Sequence, residues 1–433
     1  MLIDKKIESG IEWVGEIPEN WSVFPAGGVF SEVKEKNTNN EYCNAFSFRY
    51  GEIIDKKTNG IDDENTNETL SSYRVVIPNT IMINGLNLNY DFITQRVAIV
   101  KEKGIITSAY LAVQPDETRI VAKFALYLFK AYDAKQAFHG MGSGVRKTLK
   151  YSDFKNIKIV APSMTEQQHI VDFLDQKVQE IEALISEIKA SIEEYKVWKA
   201  SIIYEAVTKG IDSNDEMKES GIEWIGKIPR KWNVCALKLL TTKIGSGKTP
   251  SGGAEVYTTE GVMFLRSQNV HNTGLEIDSV SFISNEIDES MASTRVEYQD
   301  VLLNITGGSI GRCCIYDLEG VRANVNQHVC ILRADRTKLL PQYLRYFWNS
   351  ASGPMVVAQY QTGGNRQGLN FEQIGSTKIP FCSIEEQKNI VDYLDVRCGE
   401  IDALVKEKEA LISDLEAYKK SLIFEVVTGK RKV

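Results

Sequence analysis

Two glycine-rich segments carry the basic residues best suited to binding phosphate. One runs from position 142 to 150 (GSGVRKTLK) and the other from 363 to 370 (GGNRQGLN), and their arginines, Arg146 and Arg366, stand 220 positions apart. Glycine lets a backbone approach a phosphate closely, and a guanidinium can bind one through two hydrogen bonds. We therefore expect both segments to contact a nucleic-acid backbone. A structural turn that carries a surface arginine is the alternative interpretation.

Other loops that follow predicted strands are rich in Asn, Gln, Ser and Arg. Asn and Gln can pair with adenine and Arg with guanine, and loops on a rigid scaffold commonly carry binding residues. The same residue types are also common in turns, so each position alone is weak evidence. The candidate DNA-contacting residues are Asn84, Asn87, Arg146, Lys147, Lys150, Lys248, Arg266, Gln268, Asn269, Ser309, Arg312, Asn365 and Arg366.

Three short motifs are typical of enzymes, and each lacks a required part. The segment GSGKT at 245–249 resembles a phosphate-binding loop, but Thr242 stands where that motif needs glycine. The segment FHGMG at 138–142 resembles an S-adenosylmethionine loop, yet no two prolines are adjacent, so the proline dipeptide that amino-methyltransferases use is missing. Glu216 and Lys218 have a nuclease-like spacing, but we expect a solvated linker there. No catalytic residue is predicted.

Composition limits the remaining classes of protein. The 433 residues are 43% hydrophobic, which is ordinary for a globular protein of two to three domains. There is no apolar run long enough to span a bilayer, and the charged N-terminus does not resemble a signal peptide. Seven cysteines without a C-x-x-C pair favour a reducing, cytoplasmic setting over a disulfide or zinc scaffold. The four histidines are not spaced for a helical metal site.

The net charge of -7 conceals an uneven distribution. Residues 165–200 carry eight carboxylates and four lysines, whereas residues 142–160 carry five basic residues and one aspartate. An acidic total is unusual for a nucleic-acid-binding protein, because phosphate binding requires a basic face. The distribution instead predicts an acidic helix beside a basic patch.

The chain repeats itself. Residues 8–23 (ESGIEWVGEIPENWSV) recur as ESGIEWIGKIPRKWNV at 219–234, and residues 166–175 (EQQHIVDFLD) recur as EQKNIVDYLD at 386–395. The inserts between these repeated segments share little sequence. A tandem duplication with two diverged inserts predicts one scaffold that presents two different binding domains.

Each repeat is predicted to contain a long helix. From Glu166 to Val207 apolar residues recur at steps of three and four, which is typical of a coiled coil. Either Ser163 or Thr165 provides an N-cap signal. The second copy runs from Ser383 to Gly429, with Gly399 as a weak point. Each helix would be about 60 Å long at about 1.5 Å per residue.

The inserts read as mixed α/β domains closed by shorter helices. The predicted helices cover 123–138 and 342–348, and the predicted strands cover 73–77, 80–83, 96–100, 261–265, 300–305 and 328–332.

These segments together resemble the specificity subunit of a type I restriction–modification system. The resemblance rests on the repeated ESGIEW(V/I)G…IP…W segment, both EQxxIVDxLD helix starts, the strand and loop DVLLNITGGSIGR, and NVNQH, and it covers essentially the whole chain. It implies two target-recognition domains that each read one half of a split double-stranded DNA sequence. It also implies two long helices that set the spacing and bind two modification (methyltransferase) subunits. ATP-driven restriction subunits complete such an assembly.

The predicted fold is α+β: two mixed α/β target-recognition domains separated by two long helices packed as an antiparallel coiled coil, in a pseudo-two-fold internal repeat. The predicted segments are 1–164 and 212–384 for the domains, the first with the N-terminal repeated segment, and 165–211 and 385–433 for the helices. We expect residues 8–23 to pack beside the second helix.

The predicted function is a non-catalytic DNA-specificity subunit with no membrane association and no cofactor of its own. By the same resemblance, S-adenosylmethionine belongs to the methyltransferase partner, and ATP and magnesium belong to the restriction partner. A stand-alone DNA-modifying enzyme and a coiled-coil assembly protein without a nucleic-acid role are the alternatives.

Overall fold

The computed structural model describes residues 5–56, 70–89, 95–141, 147–250, 252–360 and 368–433. They form two compact units, one made of Met1–Ile188 with Glu409–Val433 and the other of Lys189–Lys408. This division falls inside both long helices, so it differs from the four segments expected from sequence, which keep each helix whole.

The first unit contains twelve described strands, two short helices and the first part of a long helix. The strands are β1 Lys6–Glu8, β2 Glu16–Pro18, β3 Ser22–Pro25, β4 Phe30–Glu32, β5 Ala45–Arg49, β6 Glu52–Asp55, β7 Arg74–Val76, β8 Ile81–Ile83, β9 Val97–Ile99, β10 Gly104–Ile106, β11 Leu111–Pro115 and β12 Lys158–Ala161. The helices are α1 Ala122–Ala134, α2 Tyr151–Phe154 and α3 Met164–Lys209.

The second unit contains the end of α3 and the described elements that follow it. The strands are β13 Met217–Glu219, β14 Lys227–Pro229, β15 Asn233–Ala236, β16 Thr241–Ser246, β17 Val262–Leu265, β18 Val270–His271, β19 Gly274–Leu275, β20 Ser281–Ile283, β21 Arg295–Val296, β22 Val301–Asn304, β23 Cys313–Ile315, β24 Ala323–Val325, β25 Val329–Ala334 and β26 Lys378–Phe381. The helices are α4 Asn285–Ser290, α5 Pro341–Asn349, α6 Ser352–Tyr360, α7 Phe371–Ser376 and α8 Ile384–Val427, which ends in the first unit.

The diverged inserts share one sheet topology. In the first unit the four-stranded sheets have the orders β6-β5-β10-β7 and β4-β11-β8-β9, and in the second unit β20-β17-β24-β21 and β16-β25-β22-β23. The first sheet of each unit contains one parallel pair, β5 with β10 and β17 with β24. The duplication therefore extends through the inserts, where the sequence no longer reveals it.

Both predicted long helices are confirmed, together with their ends. The Ser163 hydroxyl accepts the Glu166 backbone N–H at 3.3 Å, and Ser383 caps the second helix in the same way at 3.2 Å. The glycines that follow the helices adopt positive φ, +79° at Gly210 and +69° at Gly429. The second helix is continuous through residue 399, where the sequence suggested a weak point.

The long helices run antiparallel. In the second unit Lys199 pairs with Asp402 at 2.6 Å, and the Lys408 ammonium lies 5.6 Å from the Tyr195 ring centre. Residue numbers therefore increase along α8 in the direction in which they decrease along α3. In the first unit Lys419 of α8 pairs with Glu182 of α3 at 3.2 Å. The predicted antiparallel packing is therefore confirmed.

The N-terminal repeated segment packs where it was expected. Trp21 and other apolar residues of this segment share one core with the end of α8, which contributes Leu422, Ile423, Val426 and Val427. The second copy repeats this arrangement, with Trp232 in one core with Ile203, Ala206 and Val207 of α3. The expected solvated linker around Lys218 is wrong, because 217–219 form β13 and pair with β14, as β1 pairs with β2.

Candidate nucleic-acid interface

Four loops of the second unit meet at one edge of its sheets. β17 and β24 are parallel, so their carboxyl ends lie side by side, and the loop after β24 leads directly into β25. β16 and β22 flank β25 and run antiparallel to it, which brings their carboxyl ends to its amino end. The second loop cluster, as we call these loops, comprises residues 247–250, 266–269, 304–312 and 326–328.

Hydrogen bonds join the loops of this cluster. The Gly247 backbone N–H donates to the Asn326 carbonyl at 3.1 Å, and a further hydrogen bond joins Thr249 to Gln327. Thr306 Oγ1 lies 2.6 Å from His328 Nδ1. A Cβ added at Gly247 would lie 1.5 Å from the Val325 carbonyl oxygen, so only glycine permits this approach of the two loops.

The predicted residues of this cluster differ in exposure. Lys248, Gln268 and Arg312 are exposed, whereas Arg266 and Ser309 are half-buried. The Arg266 guanidinium lies 5.5 Å from the Tyr257 ring centre, and the Ser309 hydroxyl accepts a hydrogen bond from the Asn304 amide at 3.2 Å.

Asn269 is a correction to the predicted set. It is fully buried, its amide oxygen accepts the Arg266 backbone N–H at 2.9 Å, and its amide nitrogen donates to the Glu276 carbonyl at 2.8 Å. Both ends of the amide are engaged within the turn, so we remove Asn269 from the candidate DNA contacts.

In the first unit, the loop after β8 and the segment before α2 form the first loop cluster, residues 84–89 and 147–150. The Leu149 backbone N–H donates to the Gly85 carbonyl at 2.9 Å, and that of Leu88 donates to the Lys147 carbonyl at 3.0 Å. The Lys147 N–H in turn donates to the Asn89 side chain at 3.1 Å. Two segments that are far apart in sequence, both predicted to contact DNA, are therefore adjacent.

The first loop cluster holds the predicted residues Asn84, Asn87, Lys147 and Lys150. Asn87 and Lys150 are exposed, and Asn84 and Lys147 are half-buried. The remaining predicted residues, Arg146, Asn365 and Arg366, lie outside the described residues.

The two clusters are built on the same backbone contact. The Leu369 N–H donates to the Ile305 carbonyl at 2.9 Å, and both residues stand 220 positions after Leu149 and Gly85, which make the corresponding bond. The offset seen in the repeated segments therefore also applies at the loop clusters.

Sequence reasoning missed the hairpin tip between β5 and β6. Tyr50 there is 80% exposed with φ +49°, next to the exposed Arg49. A Cβ added at Gly51 would lie 3.6 Å from the Val97 carbonyl oxygen, which places the tip beside the amino end of β9. Because β9 pairs antiparallel with β8, this is the sheet end from which the 84–89 loop emerges. The sequence signal that could have indicated this tip is an arginine and an aromatic residue directly before a turn glycine.

The glutamine of the EQxxIVDxLD motif has a structural role. The buried Gln167 side chain accepts the Val121 backbone N–H at 2.8 Å and donates to the Pro162 carbonyl at 3.0 Å. Gln387 accepts the Leu340 N–H at 2.9 Å and donates to the Cys382 carbonyl at 3.0 Å. Each glutamine thus ties the start of a long helix to the segment before α1 or α5.

The described part of the chain contains no group of three or more His, Cys, Asp or Glu side chains placed to hold a metal ion. Burial raises the pKa of the Cys314 and Cys330 thiols to about 12, so both stay protonated and are poor nucleophiles. None of the described helices has the length and apolar composition needed to cross a bilayer.

Comparisons with known proteins agree in family and in fold. The model of the type I restriction modification DNA specificity domain matches residues 18–194 and 229–413. The chain is 24% identical to the putative type I restriction enzyme MjaX specificity subunit of Methanocaldococcus jannaschii, over 97% of this chain and 96% of that protein. It is 20% identical to the type I restriction enzyme EcoBI specificity subunit of Escherichia coli, over 66% of this chain and 60% of that one.

Solved structures share the fold at low sequence identity. A chain from a type I R-M system, studied for its complex assembly and conformational transition, has a TM-score of 0.72 at 14% identity and covers 96% of this chain and 99% of its own. The HsdS subunit from Thermoanaerobacter tengcongensis has a TM-score of 0.50 at 14% identity, with 96% and 98% covered. Since the family model matches twice, once on each copy of the internal repeat, this chain belongs to the type I restriction–modification DNA specificity family.

Proposed function

We propose that this chain reads a bipartite double-stranded DNA site, one half through each loop cluster, and contributes no catalytic step of its own. The observation that supports this most is the pair of loop clusters. They occupy equivalent sheet edges and share a backbone contact, but they present different side chains. A duplicated scaffold that conserves position and varies chemistry is suited to recognising two different short sequences.

The exposed residues divide into the two kinds of contact that DNA recognition requires. Lys150 and Lys248 provide ammonium groups for phosphates, which position a protein on the duplex. Asn87, Gln268 and Arg312 have the donor and acceptor patterns that distinguish adenine and guanine in the major groove.

The long helices dock two modification subunits in this proposal. Each unit exposes an apolar residue from one helix and an aromatic residue from the other, Leu184 with Tyr418 in the first unit and Leu404 with Trp198 in the second, all between 39% and 53% exposed. Both leucines and both aromatic residues are related by the same offset of 220 positions. Equivalent exposed apolar surfaces favour two copies of one partner.

S-adenosylmethionine would be held by those modification subunits. Restriction subunits that use ATP and magnesium would join the complete complex. Both assignments follow the family and not a site on this chain.

Mapping of methylated sites tests the proposal. The chain is co-expressed with its modification subunits in a host without other methylation, and modified positions are mapped by sequencing. The double variant Asn87→Ala/Lys150→Ala should change or weaken recognition of one half-site, and Lys248→Ala/Gln268→Ala that of the other. Methylation without a bipartite pattern, or variants that each change both halves, would refute the proposal.

A further inference from the structure

Arg96 and Arg312 occupy the same position in the two units. The Asn84 backbone N–H donates to the Arg96 carbonyl at 2.8 Å, and the Asn304 N–H donates to the Arg312 carbonyl, also at 2.8 Å. Each arginine directly precedes a strand, β9 or β23, that pairs antiparallel with the strand before its loop. The two units therefore carry the same residue type at the same backbone site of their loop clusters.

In the first unit this arginine is directed inward. Arg96 is 2% exposed, and its guanidinium donates to the carbonyls of Asn84 and Leu86, both at 2.9 Å. Its backbone N–H donates to the carboxylate of Asp133, a buried residue of α1, at 2.9 Å. Arg96 and Asp133 together attach the 84–89 loop to α1, so the charge of this arginine is used inside the unit.

The second unit has no acidic residue at the corresponding point of its helix. Tyr127 of α1 and Tyr346 of α5 donate to matching aspartates of the long helices, Asp175 and Asp395, which aligns the two helices. Asp133 lies six residues beyond Tyr127, whereas α5 ends at residue 349, three residues beyond its tyrosine. The segment that follows α5 supplies only Ser350, Ala351, Ser352 and Gly353.

In the second unit Arg312 is directed outward. It is exposed, and within the described part of the chain no carboxylate lies within hydrogen-bonding or ion-pairing distance of its guanidinium. The cavity of about 280 Å³ beside Arg312 is lined by residues such as Asn272, Trp348 and Asn349 and by no acidic side chain. A different cavity in the molecule, of about 460 Å³, is by contrast rich in charged residues. The loop is held instead by Asn304, whose amide donates to the Ser267 carbonyl at 2.8 Å and to the Ser309 hydroxyl.

We infer that Arg312 is a specificity-determining residue that contacts a guanine of one half-site, whereas Arg96 is a positioning residue that shapes the other loop cluster without touching DNA. This inference rests on the proposed function and refines it. A guanidinium can donate to both the O6 and N7 atoms of guanine, whereas a lysine at the same place provides only a point charge. The two half-sites are thus read with different chemistry at equivalent positions.

The test uses the full chain in complex with its modification subunits and maps methylated sites for single variants. In Arg312→Ala, discrimination against other bases at one guanine of one half-site should fall on the order of 10- to 100-fold. Arg312→Lys should show nearly the same relaxation, because it keeps the charge but loses the fork. Lys248→Ala, an exposed cation of the same cluster, is the matched control and should weaken all sites evenly without changing base preference.

Arg96→Lys and Asp133→Ala, which removes the acceptor of the Arg96 backbone N–H, should broaden base preference only in the half-site that Arg312→Ala leaves intact. Preference at the other half-site reports, in the same molecules, whether the chain is folded, so a general loss of stability cannot imitate this result. The inference is wrong if Arg312→Ala keeps full guanine preference, if it behaves like Lys248→Ala, or if Arg96→Lys alters the same half-site as Arg312→Ala. A wild-type chain that directs no bipartite methylation would refute the proposed function instead.

Discussion

Substituting Gly247 by alanine should disrupt the second loop cluster more than any other single methyl group added there. The new Cβ would lie 1.5 Å from the Val325 carbonyl oxygen and 2.3 Å from the carbonyl carbon. Ordinary C···O contacts are about 3.3 Å or longer, so the loops must separate by roughly 2 Å. Overpacking of this kind costs about 1–3 kcal/mol, and loss of the Gly247–Asn326 hydrogen bond adds about 1 kcal/mol.

Two glycines provide matched controls for the added methyl group. Gly245 lies two residues earlier, within β16, and Gly308 lies in the same loop cluster as Gly247. A Cβ at either position meets nothing within 4 Å. Gly245→Ala and Gly308→Ala should therefore change the free energy of unfolding by only a few tenths of a kcal/mol, as surface substitutions usually do.

Urea unfolding and mapping of methylated sites measure the two consequences. Gly247→Ala should lower the free energy of unfolding by about 2–4 kcal/mol and broaden or abolish recognition of one half-site, because Lys248 and Gln327 lose their relative placement. The other half-site should be read normally. If Gly247→Ala matches Gly245→Ala in both stability and base preference, the close approach of these loops does not organise the site.

Three further outcomes follow from other parts of the chain. Gly429→Ala should destabilise the chain by more than 1 kcal/mol in thermal unfolding, because φ is +69° and the Cβ would lie 2.3 Å from the Pro18 Cδ. Gly399→Ala should instead stabilise it by up to about 1 kcal/mol, because this glycine lies in mid-helix and its Cβ would meet nothing within 4 Å. Burial raises the pKa of Asp133 to about 6, so the stability that its protonated form provides below pH 4 is lost as pH rises through 6. The free energy of unfolding of Asp133→Asn, measured in urea, should therefore rise relative to that of the wild type by up to about 3 kcal/mol between pH 4 and pH 7. Seven residues inserted between 186 and 191, with a matching insertion in the partner helix, add about 10 Å of helix. Methylation maps should then show the spacer between the half-sites changed by up to about three base pairs, with both half-sites kept. An unchanged spacer with intact activity would contradict the role of the helices in setting this distance.

The sequence predicted those features that depend on neighbouring residues. The first long helix was expected over 166–207 and spans 164–209, because its apolar period, serine cap and terminal glycine are all local signals. The strands 81–83 and 329–334 were placed nearly as well from their apolar runs. Local signals do not determine which strands pair, so the identity of the two sheet topologies emerged only from the structure.

The candidate site was harder to predict because the same polar residue types occur both in DNA contacts and in turns. Asn269 and Gln268 are adjacent polar residues, yet Asn269 is buried with both ends of its amide hydrogen-bonded, and Gln268 is exposed. Arg96 and Arg312 occupy equivalent backbone positions, but the guanidinium of Arg96 is bonded to the carbonyls of Asn84 and Leu86, whereas Arg312 is exposed. Long-range contacts decide these outcomes, and the spacing of residues along the chain does not encode them.

Main-chain contacts explain how one scaffold supports two different sets of exposed loops. The bonds from Leu149 to Gly85 and from Leu369 to Ile305 join backbone groups, so they form whatever polar side chains the neighbouring loop positions carry. The two positions differ in the space around them, since a Cβ at Gly85 would lie 2.7 Å from the Leu149 Cβ, whereas Ile305 carries a full, buried side chain at the equivalent position. We therefore expect substitutions at Gln268 or Arg312 to alter what is recognised with little effect on the fold, whereas Asn87 has φ +53°, a conformation that asparagine adopts more readily than most residues. Divergence after the duplication could concentrate in these loops for that reason, while the buried leucines, the glutamines at the helix starts and the capping serines stayed the same in both copies.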